Sequence, residues 1–464
     1  MKAVTHWNFA PYTPLDRPER ARRPYVCRVA PEAGAFELEL LDNGGRSGDT
    51  HTLFYRKREG EEDYTSLPLG LKTAARVEGL DDLTDYEFFL RRDRDGEESE
   101  HRLCRTGETH GRVVNYLHPE DPAYVFSGRF LCSPSLLRLP SGRLLSSMDV
   151  FGKGTAQDLS MIFYSDDEGE SWHYLTELFP CFWGKLFYRN GRLYMLGCST
   201  GFGDLLIGAS DNGGRDWTMP TVLFRGAGRA NERGMHRGPM PICEHDGRIW
   251  TDVQFGSWVQ SEMNCAVLSA PADCEDYTDP SVWTVTDVWR YAEQMQDEPL
   301  REPGAAGALE GTLVVSPEGK LYDFLRYARG KSLLLSVDTE DPEKMPAFAG
   351  IAEMPVIPSK FEIHRDEKTG DYYAICSRAL EEPCTNRNLL ALFRSADLWH
   401  WEWVRDLIDE RDRSPQMTGF QYVSFLIEGD DILFLSRTAW NEPENYHNSN
   451  YQTFHRVRNF RERA

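Results

Sequence analysis

The sequence predicts an all-β protein in which a small β-sandwich precedes a β-propeller of six blades, with seven blades as the alternative count. Three observations predict this fold. A turn motif that ends in tryptophan recurs in register, a hairpin pattern recurs six times after residue 113, and the first part of the chain alternates between apolar and polar residues. Recurrence of one unit is typical of repeat architectures, and alternation at period two is typical of strands with one buried face.

The turn motif has the form Ser-x-Asp-x-Gly-x-x-Trp. It spans residues 165–172 and recurs over 210–217 with Asn in the Asp position, and a shortened copy spans 395–399 and ends at Trp399. Asp and Gly suit a tight turn between two strands, because a short side chain accepts backbone N–H bonds and Gly adopts positive φ. We expect Trp172 and Trp217 to cover their turns and to pack between neighbouring sheets.

Residues 24 to about 107 contain short alternating segments at 35–40, 51–56 and 86–91, which predict strands of a β-sandwich. The run over residues 75–88 resembles a corner of fibronectin type III modules. Residues 1–110 are therefore predicted to form such a module, and residues 111–464 the propeller. The module would act as a spacer, as a packing partner of the propeller, or as a contact between two copies in a homo-oligomer.

Each of the six later repeats contains an apolar strand, a turn with Gly and a second apolar strand. Six repeats over about 350 residues give about 58 residues per blade, which fits four-stranded blades with inserted loops. Residues 113–130 are expected to close the ring as an outer strand. The six hairpins cover residues 133–145, 184–194, 240–250, 311–321, 361–373 and 420–433.

Composition limits the classes of partner. The chain has 464 residues and a formal net charge of −22, and it has no long basic run, so nucleic acid and anionic membranes are poor candidates. No stretch of about 18 apolar residues predicts a membrane helix. Residues 1–23 lack an apolar segment, which predicts a cytoplasmic protein, or a secreted one if a signal has been removed. Ten scattered Cys without CxxC pairs predict reduced thiols, and neither a metal nor a cofactor is expected.

The repeats also predict which residues share a height around the propeller axis. These residues lie seven positions after each turn. The fourth and sixth repeats place Arg there, and Arg378 directly follows the position in the fifth. Because the planar guanidinium binds a carboxylate with two bonds, this pattern predicts a funnel for an acidic ligand. From the first repeat to the sixth, the positions hold Asp149, Cys198, Gln254, Arg326, Ser377 and Arg437.

Residues 131–142 resemble the sialidase superfamily, whose signature there contains Arg-Ile-Pro and then a Leu pair and a Gly turn. The Pro, the Leu pair and the turn match, but Cys132 stands where the Arg is expected. The turn motif likewise resembles the Asp box of that superfamily. In sialidases the missing Arg is one of three that hold the substrate carboxylate. Its absence predicts that this chain is not an ordinary sialidase.

The same resemblance implies roles for five other residues. Tyr422 matches the Tyr nucleophile and Glu310 the Glu that activates it. Arg326 and Arg387 match the two remaining carboxylate-binding Arg residues, and Asp158 matches the acid/base. A Tyr nucleophile suits an anionic substrate, because a carboxylate nucleophile would be repelled by it.

A second resemblance covers residues 147–152, 310–315, 419–423 and 446–457. These phrases are similar to sialidase-related propellers that include enzymes cleaving L-rhamnose from glucuronate, some of them lyases. Those enzymes use His residues, although Met148 occupies one of the expected His positions. His236 is the candidate general base at the funnel mouth, His447 and His455 are weaker candidates, and Trp183 is a candidate for stacking on a sugar.

The sequence therefore predicts an exo-acting carbohydrate enzyme with a glycan substrate, acting as a retaining hydrolase on a terminal acidic sugar. Asp158 or Asp149 would be the acid/base, and Arg437 or Arg237 could restore the third arm of the carboxylate clamp. One alternative is a hydrolase or lyase directed at uronates, with His236 or Tyr422 as base. The other is a glycan-binding propeller without catalysis.

Overall fold

The computed structural model of the protein describes residues 23–60, 63–226, 234–257, 262–303, 305, 307–380 and 387–462. The prediction that the N-terminus carries no signal peptide rests on residues 1–23, of which 1–22 lie outside these ranges. Nearly all of the regular secondary structure of the described residues is strand, apart from a 3-10 turn at Pro280–Val282 and a single α-turn, α1 (Tyr291–Gln294). Neither of these, nor any other helix among them, is long and apolar enough to cross a membrane.

Seven strands form the predicted sandwich. Its two sheets meet in a core that includes Phe36 and Phe88, whose rings stack at 4.9 Å between centroids. The three strands predicted in this segment are confirmed, and the fibronectin type III likeness stays a prediction. The first sheet has the order β1 (Pro24–Glu32), β2 (Ala35–Asp42), β5 (Ala74–Glu78); the second has the order β4 (Thr65–Gly70), β3 (His51–Lys57), β6 (Asp85–Arg92), β7 (Arg102–Arg105).

The remaining strands form six antiparallel sheets within the described part of the chain, and we call each sheet a blade. Blade one contains β9 (Phe130–Arg138), β10 (Leu144–Phe151), β11 (Leu159–Ser165) and β12 (His173–Leu178). Blade two contains β13 (Phe182–Arg189), β14 (Arg192–Cys198), β15 (Leu205–Ser210) and β16 (Thr221–Phe224). In blade three, β17 (Gly234–His236) and β18 (Cys243–His245) both pair with β19 (Arg248–Ser257), which is followed by β20 (Glu262–Pro271) and β21 (Thr284–Val285). Blade four contains β22 (Leu309–Val315), β23 (Leu321–Ala328), β24 (Lys331–Ser336) and β25 (Ala347–Glu353). Blade five contains β26 (Ile363–Arg365), β27 (Tyr372–Ser377), β28 (Leu389–Ser395) and β29 (Glu402–Asp409). Blade six contains β30 (Gly419–Glu428), β31 (Asp431–Ala439) and β32 (Tyr451–Val457).

The outer strand of blade six comes from the other end of the propeller sequence. Strand β8 (Arg112–Tyr116) pairs with β32, as expected, but it is shorter than the predicted segment 113–130. On the inner side, the Leu136 N–H donates to Ser424 Oγ at 3.2 Å, which joins blade one to blade six. The ring is therefore closed by contacts at both its inner and outer strands.

The three turn motifs share one set of hydrogen bonds. Ser165 Oγ accepts the Gly169 N–H at 2.9 Å, and Ser210 Oγ accepts the Gly214 N–H at 2.9 Å. Trp172 and Trp217 are each 1% exposed, as predicted. In the third motif the covering residue was predicted wrongly.

That third turn is one residue shorter than the other two. Leu398 occupies the Gly position with φ of 71°, and the buried ring beside the turn belongs to Trp401, not to Trp399. Trp401 Nε1 donates to the Leu398 carbonyl at 2.9 Å, as Trp217 Nε1 donates to that of Gly214. Trp399, which ends the motif in the sequence, is therefore not the residue that covers this turn.

The sandwich contacts blades one and six through buried polar groups that form hydrogen bonds across the contact. Arg102 Nε donates to Asp121 Oδ2 at 2.6 Å, and Arg28 Nε donates to the Val114 carbonyl at 2.8 Å. Tyr25 OH hydrogen-bonds to Tyr124 OH at 2.6 Å and to Glu177 at 3.2 Å. Burial raises the pKa of Glu177 to about 8, so this carboxyl is largely protonated at neutral pH.

Candidate active site

Strand register places the predicted ring positions at one level. In five blades the second-strand residue pairs with the first-strand residue that directly precedes an irregularity or break in the strand. The spacing of seven residues from each turn therefore predicted a real structural equivalence. The pairs are Asp149 with Cys132, Cys198 with Phe182, Gln254 with His236, Arg326 with Leu309, and Arg437 with Gln421.

The irregularity is a β-bulge in the innermost strand of four blades. Ser133, Trp183, Glu310 and Tyr422 occupy it with φ between 54° and 56°, a conformation that costs a non-Gly residue roughly 1–3 kcal/mol. A bulge inserts one residue and turns its side chain away from the regular alternation. Glu310 and Tyr422 thus owe their direction to the same backbone device in two different blades.

Glu310, Arg326 and Tyr422 form the centre of the site. Arg326 Nη1 donates to Glu310 Oε2 at 2.7 Å and to Tyr422 OH at 3.3 Å. Glu310 is 2% exposed, while Tyr422 and Arg326 are partly exposed, so the cluster reaches solvent through the last two. The structure therefore brings together the predicted nucleophile, the residue predicted to activate it and one of the predicted carboxylate-binding arginines.

The charges shift the titration of this centre in opposite directions. Burial would raise the pKa of Glu310, but Arg326 and then His236 lower it below its usual value, so Glu310 is ionised. Burial, and then Glu310, raise the pKa of Tyr422, which keeps the phenol protonated at neutral pH. An ionised carboxylate beside a protonated phenol is the arrangement in which the carboxylate can accept the phenol proton.

Two further guanidinium groups surround Tyr422. Arg437 lies 5.0 Å and Arg387 5.8 Å from the centroid of its ring. Arg387 donates to Gln421 and Arg437 donates to the His447 carbonyl. Burial lowers the pKa of both side chains, yet neither forms an ion pair with a carboxylate among the described residues.

Among the described residues, the centre therefore carries three guanidinium charges and one carboxylate charge, an excess of two positive charges. Buried charges in proteins are normally paired, because an unpaired one loses its hydration without compensation. The Nε of Arg437 is buried and has no hydrogen-bond partner in the described part of the chain. An anion bound beside Tyr422 would satisfy both the charge and this donor.

Cys132, the residue in place of the expected Arg, lies beside Arg437. The charge of Arg437 acts on the Cys132 thiol, whose pKa is raised to about 12 by burial and then by Asp149. Arg437 packs against Phe151 of blade one at 4.6 Å and so reaches across to the blade that lacks its Arg. The third positive charge at this site thus comes from blade six.

Asp149 is the alternative candidate for the acid/base. It is 1% exposed, and its carboxylate accepts the Trp183 N–H at 2.8 Å and the hydroxyl of Ser160. Burial raises its pKa to about 8. Asp149 thus holds the backbone of the Trp183 bulge in the neighbouring blade, and its acid/base role stays a prediction.

Asp158 lies in the loop before β11 and is partly exposed. Its N–H donates to Ser127 Oγ at 2.9 Å, and its Oδ1 is buried without a hydrogen-bond partner within the described ranges. Burial raises its pKa to about 6. No hydrogen bond or ion pair of the described residues connects it to Glu310, Arg326 or Tyr422, and its acid/base role stays a prediction.

His236 lies on the blade-three side of the centre. Its Nδ1 lies 2.9 Å from Gln254 Oε1, and its ring contacts Trp183 at 4.2 Å between centroids. Burial lowers its pKa, while Glu310 raises it, which places His236 close to that carboxylate. His236 and Trp183 therefore form an aromatic wall on this side of the centre.

Arg237 is the other candidate for the third arm of the carboxylate clamp, and that role stays a prediction. It is fully buried, and its guanidinium donates to the Leu196 carbonyl at 3.0 Å and to Thr251 Oγ1 at 2.9 Å. These bonds tie blade two to blade three. Arg378, next to the ring position of blade five, pairs with Asp406 and covers Trp403 instead of joining the cluster.

The sequence analysis missed a second charged cluster on the axis. Glu362, which is fully buried, accepts Lys185 Nζ at 3.1 Å and Lys360 Nζ at 3.2 Å. Lys360 also donates to the Val423 carbonyl at 3.1 Å, directly after Tyr422. Charged residues inside otherwise apolar inner strands were the available signal.

Of the two weaker His candidates, His447 lies beside the arginines of the centre and His455 does not contact them. His455 stacks on Phe434 at 4.5 Å in the third strand of blade six, and His447 is exposed near Arg437, which lowers its pKa to about 3. Across the described ranges, no group of three or more His, Cys, Asp or Glu side chains is arranged as a metal site.

Comparison with known proteins finds solved structures of similar fold. No protein-family model matches this chain, and no curated protein matches it. The Hadza microbial sialidase Hz136 is similar over 94% of both chains, with a TM-score of 0.51 and 11% identity. A Penicillium chrysogenum α-L-arabinanase covers 77% of this chain at 14% identity and 99% of its own length, with a TM-score of 0.49. The likeness to Hz136 shows that the two chains share a fold.

Proposed function

We propose that the protein is an exo-acting carbohydrate enzyme that hydrolyses a terminal acidic sugar with retention, and that a uronate is preferred to sialic acid. The observation that carries this proposal is the excess of two positive charges around Tyr422. Such a site binds a carboxylate in a place where a phenol and an ionised Glu310 are already in contact through Arg326. The sialidase-like fold supports a pocket that takes one end of a glycan.

The residues support a two-step displacement. The substrate carboxylate would lie among Arg326, Arg387 and Arg437. Tyr422 Oη would attack the anomeric carbon and lose its proton to Glu310, while Asp158 protonates the departing glycosidic oxygen as the C–O bond breaks. Water would then attack the anomeric carbon of the glycosyl-tyrosine and give its proton to Asp158. The bond to Tyr422 Oη would break as the phenolate leaves and takes back the proton held by Glu310. A pKa of about 6 suits Asp158 to both halves of this cycle.

The position of the third Arg favours a uronate. The carboxylate of sialic acid sits on the anomeric carbon, whereas that of a uronate sits across the ring on C5. With Cys132 in blade one, the cations come from blades four to six, so a bound carboxylate is held from one side of the funnel. A sugar whose carboxylate is remote from the reacting carbon fits such a one-sided clamp.

A uronate-directed lyase is the second candidate, and His236 is the observation that favours it. His236 lies near Glu310, and the charge of Arg326 also acts on its imidazole. Its imidazole could remove the proton on C5 of a uronate whose carboxylate is neutralised by Arg, after which the bond to the C4 oxygen breaks and leaves a double bond. A glycan-binding propeller would need neither Glu310 nor Tyr422.

A panel of aryl glycosides and uronate-containing polysaccharides tests these candidates. Release of the aryl group from a glucuronide, lost in Tyr422→Phe, would support the hydrolase. Absorbance from unsaturated uronate products, retained in Tyr422→Phe and lost in His236→Gln, would indicate the lyase. Brisk release from the aryl sialoside with none from uronides would contradict the preference for uronates.

A further inference from the structure

Two carboxyl groups lie buried side by side behind Glu310. Asp252 belongs to β19 of blade three and Asp323 to β23 of blade four, and both are fully buried. The two carboxyls lie close enough to shift each other's pKa. Neither group has a part in the mechanism proposed above.

Asp323 packs directly on the backbone that follows Glu310. A β-carbon at Gly311 would overlap the Asp323 carboxyl, so only Gly fits here. The Gly311 N–H in turn donates to Asp252 Oδ2 at 2.9 Å. The carboxyl pair therefore touches the bulge that orients Glu310.

Two carboxyls in contact within an apolar interior share a proton, because two negative charges there would repel each other. Burial, followed by Asp252, raises the pKa of Asp323 well above its usual range, and burial raises that of Asp252 to about 7. Asp252 Oδ2 accepts N–H groups from Gly311 and Gln254, which favours the ionised form of Asp252 and leaves the proton of the pair on Asp323. Asp252 is left as the acceptor for its other neighbours.

One of those neighbours is the side-chain amide of Gln254. Gln254 Nε2 donates to Asp252 Oδ2, which turns Gln254 Oε1 toward His236 Nδ1 at 2.9 Å. An amide oxygen only accepts hydrogen bonds, so Nδ1 of His236 must carry the proton. The lone pair of the neutral ring is then on Nε2.

We propose that Asp252 is a positioning residue that acts on two site groups at once: it anchors the Glu310 bulge through Gly311, and it fixes the Nδ1–H tautomer of His236 through Gln254. The inference rests on the proposed function only in treating Glu310 and His236 as site groups. The hydrogen-bond chain itself is a property of the free protein. It can therefore be tested without a substrate.

Imidazole 15N spectra of the protein labelled at His test the chain, with His236→Gln used to assign the resonances. Couplings from the two ring nitrogens to the ring protons identify which nitrogen is protonated. We expect Nδ1–H in the wild type and in Asp323→Asn, whose amide can donate to Asp252. In Asp252→Asn, whose own amide can donate to a rotated Gln254, we expect a shift to Nε2–H or to a mixture.

Three results would overturn the proposal: Nε2–H in the wild type, an unchanged tautomer in Asp252→Asn, or the same shift in both Asn variants. If Asp252→Asn does not fold, Gln254→Met removes the acceptor directly. Loss of the Nδ1–H preference in that variant supports the chain, and its retention contradicts it. Because no glycan is used, failure of this test leaves the proposed reaction to be judged by the glycoside panel.

Discussion

Two of the regions in which this molecule buries arginines treat them differently. At the contact between the sandwich and the propeller, Arg102 is 5% exposed and pairs with the fully buried Asp121 at 2.6 Å. On the propeller axis, Arg387 and Arg437 are 9% and 3% exposed and have no carboxylate partner among the described residues. The interface is electrically complete, and the axial cluster is not.

The difference separates charge that stabilises the fold from charge held for a ligand. At the interface the remaining carboxyl, Glu177, is neutralised by protonation, so no charge is left over. On the axis the bulges at Glu310 and Tyr422 add backbone strain to unpaired charge. Strain and unpaired charge in one place cost stability, and function is the usual reason that such a cost persists.

The largest effect is expected on the axis, from Arg326→Met. This change leaves Glu310 buried without its partner and removes a donor to Tyr422. We expect kcat/KM to fall by about 10²–10⁴-fold, equivalent to about 3–5 kcal/mol, on whichever glycoside the panel identifies. Lys368→Met, at an exposed ion pair with Asp430, is the matched control and should leave kcat/KM unchanged. Activity within twofold of the wild type in Arg326→Met would remove the arginine from the site.

At the interface, Arg102→Met should act on stability and leave the chemistry intact. Asp121 would stay buried without its partner, so we expect the free energy of unfolding in urea to fall by about 3–5 kcal/mol. The folded fraction should keep the wild-type kcat. Arg76→Met, at an exposed arginine of the same sandwich, should change stability by less than about 0.5 kcal/mol. Equal stability of Arg102→Met and the wild type would mean that the interface pair does not stabilise the fold.

Arg387→Met should show the opposite pattern. Its removal relieves repulsion among three guanidinium groups, so the free energy of unfolding should stay the same or rise. Affinity for an acidic monosaccharide, measured by calorimetry, should fall by about 10–100-fold, or about 1.4–2.8 kcal/mol, as one charge-assisted contact is lost. If this variant loses as much stability as Arg102→Met, the two regions do not differ in the way described.

The smallest effect is expected from Glu177→Gln at the interface. The folded pKa of Glu177, about 8, lies above its unfolded value, so the wild type loses stability as pH rises from about 4.3 to about 8. The Gln variant lacks this loss. We expect its thermal midpoint to match the wild type at pH 5 and to exceed it at pH 9, because only the wild type must protonate or bury a charged carboxylate there. A lower midpoint than the wild type at pH 9 would show that the ionised carboxylate is the stabilising form.

The sequence analysis reached the ring positions because propeller repeats keep a constant spacing from turn to site. That spacing placed Arg326 and Arg437 at one level, and register confirms it. It could not predict the bulges, because positive φ at Glu310 or Tyr422 depends on the neighbouring blades and not on the local sequence. Nor could it distinguish Arg237, whose guanidinium is used between two blades, from the arginines that face the funnel.

The Trp401 error and the Lys185–Glu362–Lys360 cluster have a common cause. Both depend on which residues meet across blades, whereas the sequence shows only the order along one strand. A carboxylate such as Glu362, set between Phe361 and Ile363, indicates that a buried partner exists. Only the packed ring identifies that partner, here a lysine from blade two and another from blade five.

The central claim is that the unpaired arginines around Tyr422 form a site for a carboxylate. Calorimetric titration with methyl glucuronoside and with methyl glucoside tests it most directly, since the two ligands differ only in the acidic group. We predict that the glucuronoside binds, that the glucoside does not bind measurably, and that Arg387→Met and Arg437→Met each weaken the glucuronoside by at least about tenfold. Equal binding of the two sugars, or glucuronoside binding that is unchanged in both variants, would contradict the account.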